Sequence, residues 1–289
     1  MTEDITAVKG ETDGKTKVRP EGSEEGKKKG CCGRLWTLYD RSFLVQLALQ
    51  YSAQGTRMII FLALQLTFYN DYGMEPAEVQ GLIAAITLTW FPKLLYGIIS
   101  DTFPIMGSRR KSYCVLLSGV MIIGACMNIF IENKESHSTL FLGTAIMLFC
   151  LGFMDVVVDG LIINQQKIDP VHGSEDLTMY AWICYAAGGS LITIAAMIIL
   201  AMNDNDVFFV WILLLLLGIS LFCSSLYLSM DLEKSNEKIN NAGFCTRIKE
   251  NYRQVCKGLQ VKGVLRLLLF LCLAGSIVPN YDDYLVQYM

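Results

Sequence analysis

TLFLGTAIMLFCLGFMDVVVDGLII, residues 139–163, is the stretch on which the reading of this chain turns. A helix needs about 20 apolar residues to cross a hydrocarbon core of ~30 Å, and this run is long enough. Yet it contains Asp155 and Asp159, four residues apart. A carboxylate at bilayer depth costs roughly 2.5–3.5 kcal/mol on insertion scales, so chance seldom leaves two together. The pair therefore calls for partners, for a ligand, or for both.

Composition supports a membrane setting. Of 289 residues 53% are hydrophobic and 18% charged, with mean hydropathy +0.41, whereas soluble domains are near 45–50% apolar and about 25% charged. The charges leave long stretches almost empty. Apolar runs at 43–69, 78–100, 113–131, 139–163, 178–202 and 206–229 read as six spans. A seventh run begins near 264 and turns polar after Val278, at Pro279-Asn280-Tyr281-Asp282-Asp283. The expected organisation is a disordered basic tail (1–41), a six-span bundle (42–230), a central loop (231–263) and an interrupted seventh span (264–289). The fold class is an all-α polytopic membrane protein.

Loop charges give an expected orientation. With the N-terminus in the cytoplasm, the tail, the loop with Arg109, Arg110 and Lys111, the loop with Lys167, and the loop 231–263 all lie inside. These hold nearly every Lys and Arg, while the opposite loops hold only Lys134 beside several acids. That is the positive-inside pattern. It argues against a seven-helix receptor, which has its N-terminus outside. No apolar core of a signal peptide precedes the first span. The adjacent Cys31 and Cys32, beside a Lys run near the membrane edge, are candidates for lipidation; an unmodified thiol pair is the plainer reading. With only His137 and His172, a histidine-based metal site has no support. The chain shows no nucleophile–base pair or phosphate-cradling Gly loop. Neither an enzyme, a cofactor nor a nucleic-acid partner is expected.

Four ionisable groups lie inside the spans: Arg57, Lys93, Asp155 and Asp159. At a helical rise of ~1.5 Å per residue, Lys93 and Asp155 stand level, roughly 10 and 12 Å above the cytoplasmic boundary. Asp159 is about a turn lower on the same face, and Arg57 is nearer the midplane. Two readings of the acids follow. Two neighbouring carboxylates with few cations need not both ionise, which suits a group that takes up and releases a proton. Alternatively Asp155 pairs with Lys93 to fix packing, while Asp159 reaches interfacial water. Arg57 suits an anionic ligand group, or serves as the counter-ion of Asp155. Tyr51, Gln54 and Gln65 of the first span could hydrogen-bond a polar ligand, or simply join helices.

The segment between spans two and three carries Gly97, then Ser100-Asp101, then Gly107 and the cluster Arg109-Arg110-Lys111. It resembles the major facilitator signature, in which the Asp and the basic cluster form a cytoplasmic gate. Trp90-Phe91-Pro92-Lys93-Leu94-Leu95-Tyr96-Gly97, running into Ser100-Asp101 and Phe103-Pro104, is similar to the folate-biopterin transporter family. Asp155-Val156-Val157-Val158-Asp159 resembles that family's fourth span. Tyr51 to Gly55 and Glu75-Pro76-Ala77-Glu78 fit more loosely. Two departures stand out: Asn164 where family members often carry Glu, and Gly160 in place of a usual Ala.

The resemblance implies a multi-pass transporter of folate, biopterin or related pteridine-like solutes, working by alternating access. Its fold would be of the major facilitator type, with the substrate site between two six-span halves. In this reading Arg57, Lys93, Asp155, Asp159 and Gln54 are substrate or coupling candidates, and Gly97, Asp101, Gly107, Arg109 and Arg110 the gate. The expected partners are the bilayer, a small solute and a second half-transporter chain, since the sequence stops at Met289 before further spans. The alternative is a truncated, transport-inactive membrane scaffold. Which membrane holds the chain is not encoded in these features.

Overall fold

A computed structural model of the chain describes residues 31–103, 105, 108, 110–130, 137–203, 206–228, 253, 257, 258 and 260–277. Its helices are α1 (Cys31–Leu38), α2 (Arg41–Gly55), α3 (Arg57–Asn70), α4 (Pro76–Thr87), α5 (Lys93–Thr102), α6 (Lys111–Ile129), α7 (His137–Gln165), α8 (Gly173–Met202), α9 (Phe208–Tyr227) and α10 (Lys262–Ile277). Short 3-10 turns cover Leu88–Trp90 and Gln166–Ile168. No strand occurs among the described residues; an isolated bridge joins Ile105 to Ser108.

Among the described residues five helical segments are long and apolar enough to cross a membrane: Pro76–Thr102, Lys111–Ile129, His137–Ile168, Gly173–Met202 and Phe208–Tyr227. The first expected span, 43–69, differs from a single helix. It breaks at Thr56 into α2 and α3, of 15 and 14 residues. The Thr56 hydroxyl donates to the Ala53 carbonyl at 2.6 Å, and the Thr56 N–H turns back to Ala53 and Gln54. These bonds satisfy backbone groups that a break would otherwise leave bare in hydrocarbon. The second span also bends. Pro92 has no N–H, so the helix cannot run through it, and the Tyr96 hydroxyl donates to the Thr89 carbonyl across the gap at 2.6 Å.

In the bundle α6 packs between α7 and α9, and α2 packs between α9 and α8. The core is apolar and aromatic, with Phe43, Leu47, Leu64, Phe68, Met121, Met147 and Leu148 fully buried. Glycines allow the closest helix approaches. A Cβ on Gly55 would lie 2.5 Å from the Tyr185 carbonyl oxygen and 2.7 Å from the Gly189 Cα, so α2 and α8 touch backbone to backbone. Close contact between small residues drives association where lipid is as apolar as the side chains. The Ser52 hydroxyl strengthens the seam by donating to the Cys184 carbonyl at 3.1 Å.

The terminal segments depart from the sequence reading in one respect. Residues 31–38, taken as part of a disordered tail, form α1. Leu35 and the following Tyr39 are buried, and Arg34 makes an ion pair with Asp176 in the first turn of α8. Cys31 and Cys32 fall on the first turn of α1. Helix α10 lies where the seventh span was expected; the described side chains in it are exposed. Residues 1–30, the loop from 231 to 252 and the segment from Pro279 onward lie outside the described residues.

Candidate functional site

Two interrupted spans and one continuous helix bring polar groups to one place. The α2–α3 break sets Gln54 at the end of α2 and Arg57 at the start of α3. The Pro92 bend sets Lys93 at the start of α5, just after Trp90. Continuous α7 supplies Asp155 and Asp159 one turn apart.

Asp155 is only 6% exposed, and both its oxygens are engaged. Oδ1 accepts from the Gln54 amide and Oδ2 from the Lys93 ammonium. The depth argument that set Lys93 level with Asp155 therefore matches the geometry, and Lys93 takes the counter-ion role that was also open to Arg57. The pair is buried on its Asp155 side and open on its Lys93 side; burying the carboxylate costs desolvation, which good geometry and extra hydrogen bonds offset. Gln54 supplies such a bond here.

Asp159 is only half-buried and accepts from the Tyr51 hydroxyl through Oδ1 at 2.6 Å. Arg57 pairs with no carboxylate among the described residues. Its guanidinium carbon lies 4.8 Å from the centroid of the Trp90 ring, over which the Lys93 ammonium also sits, at 4.4 Å. Ring quadrupoles attract cations by roughly 0.5–2 kcal/mol, more when water is excluded. Trp90 thus holds two cations beside one another at bilayer depth.

These groups line a cavity of about 310 Å³ together with Trp182 and Tyr185 of α8. A second cavity, of about 270 Å³, shares Tyr51, Asp159 and Trp182 with the first and continues past Ile162, Ile163 and Thr178. Of the sequence candidates, Arg57, Lys93, Asp155, Asp159 and Gln54 meet in the first cavity, as does Tyr51. Gln65 does not; it is buried on α3 away from it. Trp90, Trp182 and Tyr185 were not singled out. An aromatic in an apolar run reads as lipid-facing or core, and only its neighbours in space reveal otherwise.

Of the residues expected to form a gate, Asp101 and Arg110 make a separate contact at the end of α5. Arg110 lies 3.5 Å from Asp101 and donates to the Gly160 carbonyl on α7. A Cβ on Gly160 would stand 3.0 Å from the guanidinium carbon, so the missing side chain makes the seat for Arg110. Gly97 meets Val156 of α7 at a Cβ distance of 3.4 Å, which fits close packing of α5 on α7. Gly107 and Arg109 lie outside the described residues.

A family model described as the BT1 family matches residues 54–286, most of the chain and every cavity residue from Gln54 onward. The chain belongs to the BT1 family. This BT1 chain is 28% identical over 158 residues to the probable folate-biopterin transporter 4 of Arabidopsis thaliana, covering 54% of its own length and 32% of that protein. It is 27% identical over 146 residues to the folate-biopterin transporter of Synechocystis, covering 50% and 29%. It is 31% identical over 101 residues to folate transporter 1 of Plasmodium falciparum, covering 35% and 19%. The BT1 chain thus spans about a third of the length of the first two relatives. No solved structure matches it.

Proposed function

We propose that this chain forms part of a membrane transporter for a solute of the folate or pterin class, and that the cavity around Arg57 and Asp159 contributes to solute binding. The observation that carries the proposal is a cation with no acid partner among the described residues, Arg57, held over Trp90 at the wall of a cavity in apolar helices. Ionisable groups at that depth avoid lipid and face a protein interior or a wet cavity. A folate carries a carboxylate tail that a guanidinium can bind through two hydrogen bonds. The relatives' names agree with this class of solute.

In this proposal the basic end, with Arg34, Arg110 and Lys167, faces the cytoplasm, following the positive-inside rule. Arg110, tied to both Asp101 and the Gly160 carbonyl, belongs to a contact that opens and closes as the cavity changes side. Asp155, saturated by Lys93 and Gln54, holds the architecture. Asp159, with an oxygen left over, is the acid open to solute or proton. A second bundle, from further chain or from a partner chain, supplies the facing wall, as in transporters built from repeated halves.

The test is accumulation of labelled folic acid in folate-uptake-deficient cells expressing the full protein that carries this sequence. Uptake above the vector control is expected, falling at least tenfold in Arg57→Gln at equal surface expression. No uptake of folic acid or biopterin by the wild-type protein would overturn the proposal.

A further inference from the structure

Resting on that reading, we infer that Trp182 and Tyr185 of α8 form the platform on which the planar ring of the solute stacks, and so set the preference for heteroaromatic solutes. Of the two tryptophans on the cavity, Trp90 is already engaged by Arg57 and Lys93. Trp182 is 62% exposed, and its ring contact is the edge-to-face approach of Tyr185, with centroids 5.5 Å apart at 67°. Trp182 also lines both cavities, so a flat ring against it would reach from one into the other.

The seam between α2 and α8 explains how this wall is placed. Tyr185's own carbonyl presses on Gly55, the neighbour of Gln54, and Gly188 leaves room for the Ser52 side chain, next to Tyr51. The small-residue seam thereby sets the aromatic pair beside the polar groups of α2. Across the cavity stands Asp159, whose Oδ1 is taken by Tyr51 and whose second oxygen can accept from a ring N–H or amine. Arg57 lines the first cavity and not the second, as the contact for an anionic tail. The site thus reads three features separately: a π-face, a donor edge and a negative charge.

Two ligands separate these elements: folic acid, with ring and carboxylates, and biopterin, with a ring and no carboxylate. Binding of each, in labelled form, is measured on the full protein in nanodiscs. Loss of an aromatic platform for a stacked base commonly weakens binding by about tenfold or more. Trp182→Leu is expected to weaken both ligands by about that factor, and Trp182→Phe to restore most of the loss. Arg57→Gln is expected to weaken folic acid at least tenfold more than it weakens biopterin. Wild-type affinity for both ligands in Trp182→Leu overturns the inference and leaves the functional proposal standing. Wild-type protein that binds neither ligand overturns both.

Discussion

Replacing Asp155 by Ala lowers the stability of the bundle by about 1–3 kcal/mol, the loss expected when a buried amide and a partly exposed ammonium lose their shared acceptor. The carboxylate satisfies Lys93 and Gln54 together, from α5 and α2, while itself standing on α7. Without it an ammonium and an amide are left facing each other with no acceptor between them. The measurement is thermal unfolding of the purified protein in detergent, followed by helical circular dichroism. The double variant Asp155→Ala with Lys93→Met should recover much of the loss, because it removes the uncompensated charge as well. Equal stability of the Asp155→Ala variant and wild type would show that the pair carries no structural weight.

Gly189→Leu is the second large effect. A Cβ at this position stands 2.7 Å from the Gly55 Cα and 2.9 Å from its carbonyl carbon, so the obstacle is backbone and cannot rotate away. Overpacking of a tight seam costs about 1–3 kcal/mol, and contact with backbone puts this case at the upper end. The variant also pushes α8 away from α2, separating Tyr185 from Gln54. Binding of folic acid should therefore fall further than thermal stability alone accounts for. Ala187→Leu, two residues away on an exposed face, is the control and should melt with wild type.

Much of this arrangement is legible in the sequence, for physical reasons that differ by residue. Helices have a fixed rise, so counting from the ends of spans placed Lys93 level with Asp155 before any contact was known. The i, i+4 spacing likewise put Asp155 and Asp159 on one face. The break at Thr56 was not legible. Residues 43–69 form an apolar run with no proline, and the break depends on a hydroxyl bond to Ala53 and on α8 pressing against Gly55.

The place of Trp182 and Tyr185 on the cavity was hidden for a related reason. Both lie in an apolar helix whose composition would equally suit lipid contact, and only the seam with α2 turns them toward Asp159. Arg57 stood open between two partners, ligand and Asp155. The structure removes the second, because Lys93 and Gln54 already occupy both oxygens of Asp155. Gly160 seats the Arg110 guanidinium, a contact across 50 residues that spacing along the chain does not reveal.

The central claim is that solute enters the cavity bounded by α2, α3, α5, α7 and α8. Accessibility at Tyr185 tests it most directly. In a background with the native cysteines replaced, Tyr185→Cys is treated with a membrane-impermeant, charged methanethiosulfonate reagent, with and without folic acid. Labelling of this membrane-depth position is expected, slowed several-fold by folic acid and unaffected by an unrelated anion such as sulfate. A thiol that resists the reagent in every condition, or reacts at one rate with and without folic acid, would contradict it.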